Sequence, residues 1–258
     1  MIHLLRVPII RREEPAPGHV ELWLQSPELA TSTPGQFADV VTEGMLRRPI
    51  SFSRIDRANH QVAMLLQVVG DGTRWLAAQR PGTMLDVMGP LGNGFLPPAP
   101  ARDWCLVGGG VGIPPLYAAV QAWGTHTASR PTVILGARDQ QLLLLVDEFQ
   151  ALGCVVEITT DNGTRGRRGT VEAPLCDWLD SHPDGQVYAC GPTPMLASVA
   201  RLTQGRTGIF LALEQRMGCG IGACLACVIP GYGVSGQAGY LRVCTDGPVF
   251  RSEELIFE

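Results

Sequence analysis

The chain has 258 residues, of which 45% are hydrophobic and 17% are charged, and this composition fits one large or two to three small globular domains. The formal net charge is −4 and the charged residues are scattered, so we expect neither nucleic acid nor an anionic membrane as a partner. All 20 basic residues are Arg, which excludes lysine Schiff-base chemistry and a P-loop lysine. Arginine or backbone amides must therefore hold any bound phosphate.

The first residues carry no recognisable export signal. They lack a long apolar region followed by small residues, so we expect no signal peptide and a cytoplasmic location. No apolar stretch reaches the roughly 18 to 20 residues of a membrane span. In a cytoplasmic chain the 8 cysteines do not indicate a disulfide framework, so their spacing carries the information.

Short strand-like runs separated by turn clusters dominate the first hundred residues. Pro34-Gly35 and Arg80-Pro81-Gly82 are two of these turns. The pattern predicts a small antiparallel barrel over residues 1–98. The predicted strands are His19 to Leu24, Phe37 to Val41, Pro49 to Ser53 and Val62 to Val69.

Two segments of this region carry groups that bind phosphate. Arg48-Pro49-Ile50-Ser51 puts a guanidinium and a hydroxyl on one extended segment, and Arg can bind a phosphate through two hydrogen bonds. Val69-Gly70-Asp71-Gly72-Thr73 offers a glycine turn, a hydroxyl and the first amides of a helix, which suit the pyrophosphate of a flavin nucleotide. Either segment alone could be an ordinary strand or turn, but together they favour a cofactor site.

Residues Pro97-Pro98-Ala99-Pro100 mark a change in the pattern. This stretch is stiff and poor in hydrogen-bond donors, and apolar strands alternate with helical segments after it. We therefore predict a boundary after residue 98, followed by a parallel α/β sheet over residues 99–211. The predicted strands are Trp104 to Val107, Thr132 to Leu135, Val155 to Thr159 and Val187 to Cys190. The predicted helices are Pro115 to Trp123 and Pro194 to Leu202.

Two glycine-containing turns follow strands of this second region. Gly108-Gly109-Gly110-Val111-Gly112 leads into a helix, where backbone amides can meet a pyrophosphate. The spacing is not the Gly-x-Gly-x-x-Gly of dinucleotide dehydrogenases, and a tight strand-to-helix turn is the alternative. Cys190-Gly191-Pro192 ends a strand at the carboxyl edge of the predicted sheet, where ligands bind. Cys190 could lie near a nicotinamide ring or be a buried thiol without a role.

Four cysteines characterise the region from residue 212 onward. Cys219, Cys224 and Cys227 are separated by four and then two residues, and Cys244 follows after sixteen more, which is the spacing of plant-type 2Fe–2S ligation. The intervening glycines let the backbone fold tightly, so that amide N–H groups can point at sulfur. A zinc site and unconnected buried thiols are the alternatives. The cysteines outside this spacing are predicted to be core residues: Cys105, Cys154 and Cys176.

These segments together make the chain resemble the ferredoxin-NADP reductase superfamily and, within it, the electron-transfer subunits of type B dihydroorotate dehydrogenase. The resemblance covers essentially the full length, and the cysteine segments discriminate best because the cluster unit is short and directly follows the nucleotide region. The segments that carry it are Arg48-Pro49-Ile50-Ser51, Gly70-Asp71-Gly72-Thr73, the run from Gly89 to Phe95, Gly108 to Gly112, Ala189-Cys190-Gly191-Pro192, Glu214 to Cys227, and Val243 to Phe250.

The resemblance implies an antiparallel FAD-binding β-barrel domain at 1–98, a parallel-sheet NAD-binding α/β domain at 99–211, and a small C-terminal 2Fe–2S cluster domain at 212–258. It implies FAD, a 2Fe–2S cluster and NAD as co-substrate, and no catalytic side chain, because the cofactors carry the chemistry. The implied FAD residues are Arg48, Pro49, Ile50, Ser51, Leu65, Leu66, Gln67, Gly72 and Thr73. The predicted NAD residues are Gly108, Gly109, Gly110, Gly112, Cys190, Gly191 and Pro192. The implied cluster ligands are Cys219, Cys224, Cys227 and Cys244.

The implied partner is an FMN-containing dihydroorotate dehydrogenase catalytic subunit of pyrimidine biosynthesis, in a heterotetramer of two plus two subunits. Electrons would pass from that FMN through the cluster and FAD to NAD. One alternative is a reductase subunit of another redox complex, of the ferredoxin:NADP oxidoreductase or hydrogenase type. A second is a zinc-stabilised binding module without turnover.

The choice between NAD and NADP depends on residues after the second strand of the nucleotide region. Arg138 could pair with a 2′-phosphate, whereas Asp139 could accept the ribose hydroxyls. Arg138 thus favours NADP and Asp139 favours NAD, and the resemblance favours NAD. Arg165, Arg167 and Arg168 could touch the dinucleotide, but a solvated loop is the preferred interpretation.

Overall fold

The computed structural model describes residues 1–124, 129–233 and 236–257, with two seven-stranded sheets and a two-stranded ribbon. The strands are β1 (His3–Ala16), β2 (His19–Gln25), β3 (Phe37–Val40), β4 (Arg48–Ser51), β5 (Arg54–Asp56), β6 (Gln61–Gln67), β7 (Met84–Leu91), β8 (Trp104–Gly109), β9 (Thr132–Ala137), β10 (Val155–Thr160), β11 (Arg167–Arg168), β12 (Gln186–Cys190), β13 (Ile209–Ala212), β14 (Val228–Tyr232), β15 (Ala238–Arg242) and β16 (Val249–Arg251). The α-helices are α1 (Asp71–Ala78), α2 (Ile113–Trp123), α3 (Val146–Ala151), α4 (Glu172–Ser181) and α5 (Thr193–Leu202).

The first sheet is antiparallel and has the strand order β4-β3-β7-β1-β2-β6-β5. Strands β4 and β6 approach each other, so the sheet curls toward closure as the predicted barrel requires. Alternate residues such as Leu22, Leu24, Val62 and Met64 are fully buried inside it. Burial of these apolar side chains is the main force that holds the curled sheet together.

Three strands of this sheet were not predicted from the sequence, β1, β5 and β7, and β1 is the longest of them. It pairs with β7 over His3 to Pro8 and with β2 over Ile9 to Ala16, and its register with β2 shifts between Ile9 and Arg11. Such shifts interrupt the two-residue alternation of buried and exposed side chains on which strand prediction depends.

The second sheet has the order β11-β10-β9-β8-β12-β13-β16 and is parallel except for β16. The chain leaves β8 toward β9 and later returns to place β12 on the other side of β8. The carboxyl ends of β8 and β12 therefore lie side by side, with Cys190 opposite Gly108. A reversal of strand order at this point opens the crevice in which parallel sheets bind ligands.

The C-terminal region is joined to both sheets. Strands β14 and β15 form the ribbon, and β16 then pairs with β13 at the edge of the second sheet. One hydrophobic cluster includes Met88 of the first sheet, Val187 of the second, and Cys227 and Val243 of the C-terminal region. The three predicted domains thus share packing, and their boundaries at residues 98 and 211 stay a prediction.

The strands and helices predicted for the second region are all present, most with one or two more residues than expected, and the fold class is confirmed. Cys105 is buried as predicted. Cys154 is half-buried and packs against a hydrophobic core cluster. The core prediction is wrong for Cys176, which is half-buried on α4 and is not among the buried residues of that helix. None of the helices formed by the described residues is long and apolar enough to cross a membrane.

Candidate functional site

A cavity of about 740 Å³ lies between the first sheet and the carboxyl edge of the second. Its second-sheet wall includes Val111, Pro115, Cys190 and the segment 212–217. This volume falls within the range of cofactor pockets. The predicted FAD residues that line the cavity are Arg48, Pro49, Ile50, Ser51, Leu65, Leu66, Gln67 and Thr73. We refer to this space as the flavin cavity, and the assignment of these residues to FAD stays a prediction.

Arg48 lies close to Gly72 beside the flavin cavity. Its Nη1 donates to the carbonyl oxygens of Leu46 at 2.7 Å and Arg47 at 3.1 Å, which holds the guanidinium in place. A Cβ on Gly72 would come within 2.8 Å of the Arg48 Cζ. Gly72 does not itself line the cavity. It leaves room for the guanidinium beside the start of α1, where the free backbone N–H groups of the first helical turn favour a phosphate.

The turn before α1 is ordered by Thr73. The Thr73 hydroxyl accepts from the backbone N–H groups of Val69 at 2.9 Å and Gly70 at 3.0 Å. A positive side chain, a capped turn and helix amides thus meet at one end of the flavin cavity. This donor set fits the pyrophosphate of FAD.

Replacing Gly72 with alanine is expected to weaken FAD binding with little loss of stability. The new methyl group displaces the Arg48 guanidinium, which is the flexible end of a side chain and can move at low cost. We expect the dissociation constant for FAD to rise about tenfold, the equivalent of one charge-assisted hydrogen bond. Fluorescence titration of the flavin-depleted chain measures it. Gly70→Ala is the control, because its Cβ would meet nothing within 4 Å; equal FAD affinities for the two variants would contradict the prediction.

A second cavity of about 600 Å³ opens at the carboxyl ends of β8 and β12. A Cβ on Gly112 would collide with the Cys190 carbonyl group, so only glycine allows the two turns to meet. Gly108 is buried under Ile113 and does not line the cavity. The predicted NAD residues that line it are Gly109, Gly110, Gly112, Gly191 and Pro192. Four of these five residues are glycines, so no side chain keeps a dinucleotide away from their backbone, and we call this space the nucleotide cavity.

Arg138 and Asp139 differ in their position at the nucleotide cavity. Arg138 lines it and its side chain is exposed. The Asp139 carboxylate instead accepts the backbone N–H of Gln141 at 2.8 Å, where it caps a short helical turn. Arg167 and Arg168 are solvent-exposed as expected, but they form strand β11 rather than a loop, and Arg167 pairs with Asp177 of α4 at 2.8 Å. The preference for NAD over NADP stays a prediction.

The two cavities adjoin each other, because three residues line both of them: Gln67, Val111 and Glu214. Cys190 faces the flavin cavity, and burial raises the pKa of its thiol well above the ordinary range, so the thiol is neutral. The Glu214 side chain is exposed in the cleft, yet the cleft walls displace water and raise the pKa of its carboxyl. The position of Glu214 at this junction was not predicted, because no spacing rule in the sequence brings it there.

The cluster loop, residues 218–227, carries three of the four predicted ligands. The Cys219 sulfur accepts the backbone N–H groups of Ala223 and Cys224, both at 3.3 Å. Hydrogen bonds from the backbone of Ile221 and Cys224 lower the pKa of the Cys219 thiol to about 7. The loop therefore favours a thiolate, the form that binds iron.

The four cysteines form two pairs, Cys219 with Cys224 and Cys227 with Cys244, and in the first pair the backbone N–H of Cys224 donates to the Cys219 sulfur at 3.3 Å. The N–H of Cys244 also donates to the Cys227 sulfur at 3.4 Å. Within the described ranges, no three His, Cys, Asp or Glu side chains converge as ligands of one ion. Two pairs of thiols fit a 2Fe–2S cluster, whose two irons take two thiolates each, better than a single zinc ion.

The cluster loop packs against the strands that line the flavin cavity. Gly220 adopts a φ of 69°, and a Cβ there would lie 3.0 Å from both the Asp39 carboxylate and the Met88 Cε. Asp39 lies on β3 opposite Pro49 of the flavin segment. Met217, next to the loop, lines the flavin cavity itself. The candidate cluster and flavin sites are therefore neighbours.

Asp39 is 1% exposed, and neither of its carboxylate oxygens has a hydrogen-bond partner within the described part of the chain. Burial raises the pKa of this carboxyl from 3.8 to about 6, although the positive charges of Arg47 and Arg48 oppose the shift. The folded chain therefore binds more protons than the unfolded chain between about pH 4 and pH 6. The stabilising effect of protonation is present below pH 4 and is lost as the pH rises through 6.

Asp39→Asn is expected to remove this loss, which amounts to about 3 kcal/mol of the free energy of unfolding across that pH window. Urea unfolding at pH 4, 5, 6 and 7 measures the change. Asp86→Asn is the control, because Asp86 is an exposed carboxylate on the same sheet that pairs with Arg6. A pH profile for Asp39→Asn that parallels the wild-type profile would show that the buried carboxyl is not the cause.

Comparison with known proteins supports the interpretation of both later regions. The family described as the iron-sulfur cluster binding domain of dihydroorotate dehydrogenase B matches residues 214–256. The oxidoreductase NAD-binding domain family matches residues 106–201. The matched ranges contain the cluster loop and the nucleotide cavity's glycine turns, respectively.

Curated relatives extend the match to nearly the whole chain. The dihydroorotate dehydrogenase B (NAD(+)), electron transfer subunit of Shouchella clausii is 42% identical over 261 residues and covers 97% of both chains. The protein of the same name from Desulforamulus reducens is 36% identical over 249 residues and covers 94% of both.

Among solved structures, a chain of an NADH-dependent reduced ferredoxin-NADP oxidoreductase superposes with a TM-score of 0.82 at 31% identity, covering 98% of this chain and 90% of that one. The ferredoxin reductase of carbazole 1,9a-dioxygenase has a TM-score of 0.73 at 21% identity and covers 81% of this chain and 69% of its own, which shows a shared fold alone. Because the curated relatives are 36% and 42% identical over nearly the whole chain, the chain belongs to the family of dihydroorotate dehydrogenase B electron transfer subunits.

Proposed function

We propose that this chain passes electrons between a dihydroorotate-oxidising partner subunit and NAD in pyrimidine biosynthesis. As a member of its family it is an oxidoreductase subunit, with FAD, a 2Fe–2S cluster and NAD as its redox groups. The observation that carries the proposal is the contiguity of three sites. The nucleotide cavity and the flavin cavity share three lining residues, and the cluster loop packs on the strands of the flavin cavity.

The residues of the chain bind and orient the redox groups. Arg48 and the amides at the start of α1 would hold the FAD pyrophosphate, and the strand segments at Ser51 and Leu66 would hold the ring system. The glycine turns would hold the dinucleotide through backbone amides. When bound, FAD supplies the conversion between the paired electrons of a nicotinamide and the single electrons of an iron–sulfur cluster. We assign no catalytic side chain.

The cluster would be held by the two cysteine pairs, Cys219 with Cys224 and Cys227 with Cys244. The first pair lies at the outer side of the loop, where Cys224 is exposed, and the second pair is buried. Amide hydrogen bonds to the Cys219 sulfur offset negative charge and would raise the cluster potential.

The partner would be a catalytic subunit of dihydroorotate dehydrogenase. We further propose that it contains FMN, that two copies of each subunit form the complex, and that the complex is cytoplasmic. The names of the relatives support a catalytic subunit of dihydroorotate dehydrogenase as the partner.

A second candidate function has a specific observation in its favour. The chain of the NADH-dependent reduced ferredoxin-NADP oxidoreductase structure matches 98% of this sequence with a TM-score of 0.82. A reductase subunit of such a complex would use the same three sites with a different partner, because the fold does not determine the partner.

A visible spectrum of anaerobically purified protein, with flavin, iron, sulfide and zinc assays on the same sample, tests the three sites. We expect flavin bands, a longer-wavelength shoulder that bleaches with dithionite, and about two irons per chain. Zinc without flavin would contradict the proposal.

Reconstitution with the dihydroorotate dehydrogenase catalytic subunit then tests the partner. Dihydroorotate-dependent reduction of NAD supports it, and reduction that depends instead on ferredoxin supports the second candidate.

A further inference from the structure

Contact between helix α2 and strand β5 sets the relation between the two walls of the flavin cavity. One wall belongs to the first sheet and the other to the second region, so the width of the cavity depends on how these two parts are held. In the described part of the chain, α2 against β5 is the most extensive contact between an element of the second region and a strand of the first sheet.

Arg54 of β5 is the centre of this contact. Its Nε donates to the two carboxylate oxygens of Glu21 at 3.2 and 3.3 Å within the first sheet. Its Nη2 reaches Glu148 of α3 at 3.5 Å, and its guanidinium lies 4.6 Å from the centre of the Tyr117 ring of α2. One side chain thus binds three elements from both walls, and we call these four residues the Arg54 cluster.

Arg54 and Glu21 form the buried part of the Arg54 cluster. The side chains of Arg54 and Glu21 are only 16% and 3% exposed. The Ser53 hydroxyl donates to Glu21 Oε1 at 2.7 Å, so both carboxylate oxygens have partners. The planar guanidinium can bind one carboxylate with a fixed geometry and stack on an aromatic ring at the same time, which a lysine ammonium does not do.

Short segments connect the Arg54 cluster to both cavities. Ser51, which lines the flavin cavity, precedes Arg54 by three residues. Pro115, on the opposite wall of that cavity, precedes Tyr117 by two residues on α2. Helix α2 begins directly after Gly112 of the nucleotide cavity. A shift at the Arg54 cluster would therefore move the glycine turn relative to the flavin segment.

We propose that Arg54 is a positioning residue that fixes the separation between the flavin segment and the nucleotide turn, and so sets the geometry of hydride transfer. The proposal rests on the proposed function. Hydride transfer depends steeply on the distance between the reacting atoms, and a misplacement of about 1 Å can cost on the order of a hundredfold in rate.

Arg54→Gln removes the charge and the fork of the side chain, whereas Arg54→Lys keeps the charge. Arg11→Gln is the matched control: Arg11 stacks on the Trp23 ring at 3.9 Å, but its ion pair with Glu13 stays within the first sheet. Glu148→Gln removes only the charged partner in the second region and leaves Tyr117 in place, so it tests the proposal even where Arg54→Gln fails to fold.

Two measurements are made on each full-length variant. Hydrogen exchange of the chain reports whether α2 and the Ile55 amide, which lies 3.5 Å from the Gln121 side chain, become less protected. Anaerobic stopped-flow then gives the rate of flavin reduction at saturating NADH, separately from the NADH dissociation constant.

For Arg54→Gln we expect faster exchange at α2 and β5, about a tenfold lower reduction rate, and an NADH dissociation constant within about threefold of wild type. The reduction rate of Arg54→Lys should lie between those of wild type and Arg54→Gln. Glu148→Gln should lower the rate about threefold, and Arg11→Gln should match wild type. A lower melting temperature with an unchanged reduction rate in Arg54→Gln or Glu148→Gln would overturn the proposal, because the residue would then be structural only. Absence of flavin reduction by NADH in the wild type would contradict the proposed function. Unchanged hydrogen exchange at α2 and β5 in Arg54→Gln would overturn the positioning role, whether or not the proposed function is correct.

Discussion

Cys227→Ala is expected to retain FAD while losing the cluster and, with it, electron transfer to the partner subunit. Cys227 is 2% exposed and pairs with Cys244, which is 1% exposed. Water cannot readily replace a missing ligand at such a buried position, and one iron would keep a single thiolate. We expect the iron content to fall from about two atoms per chain to near zero. Iron and flavin assays on the same sample measure both effects.

Cys105→Ala is the control for this prediction. Cys105 is as deeply buried as Cys227, but it lies on β8 outside the cluster loop. The control removes the same side-chain volume without removing a predicted ligand, so its iron content should stay at the wild-type value. Normal NAD-linked turnover of the Cys227→Ala protein in a reconstituted complex would contradict the assignment of Cys227.

Gly112→Ala is expected to lower the free energy of unfolding and to abolish dinucleotide binding together. The new Cβ would meet the Cys190 carbonyl group and come within 2.5 Å of the Gly191 backbone nitrogen. Neither atom belongs to a flexible side chain, so the turn after β8 and the turn after β12 must separate. We expect a loss of about 3 kcal/mol, at the upper end for overpacking. Chemical unfolding and a titration with NADH measure the two effects.

Gly110→Ala separates collision from backbone strain in the same turn. A Cβ on Gly110 would meet nothing within 4 Å, but the residue has a φ of 55°, which costs a non-glycine residue about 1 kcal/mol. We therefore expect a smaller loss of stability for Gly110→Ala. If the two variants lose equal stability, the contact between the two turns is not what requires glycine at position 112.

The buried carboxyl of Asp39 and the Arg54 cluster both lie where the first sheet contacts another region. Asp39 approaches the cluster loop at Gly220, and Arg54 approaches the nucleotide region at Tyr117. The Asp39 carboxylate has no hydrogen-bond partner in the described part of the chain. Arg54, in contrast, forms an ion pair with Glu21. We expect substitutions at Arg54 to cost stability, because they leave Glu21 buried without its ion-pair partner.

Local chemistry is what the sequence by itself determined. The spacing of Cys219, Cys224, Cys227 and Cys244 predicted a cluster site, and the structure brings these residues together in two pairs. Strand alternation and turn glycines predicted most elements of both sheets, as well as the break near Pro97. Such signals are readable because they depend on residues close together in the chain, where hydrogen-bonding and side-chain periods are fixed.

Only the tertiary structure decided which distant residues meet. Glu214 joins the two cavities because β13 lies next to β12, and Asp39 lies under Gly220 because the cluster loop returns to the first sheet. The two carboxylate partners of Arg54, Glu21 and Glu148, lie 33 and 94 residues away along the chain. The packing of whole sheets and helices against each other selects these contacts, and no local period in the sequence records them.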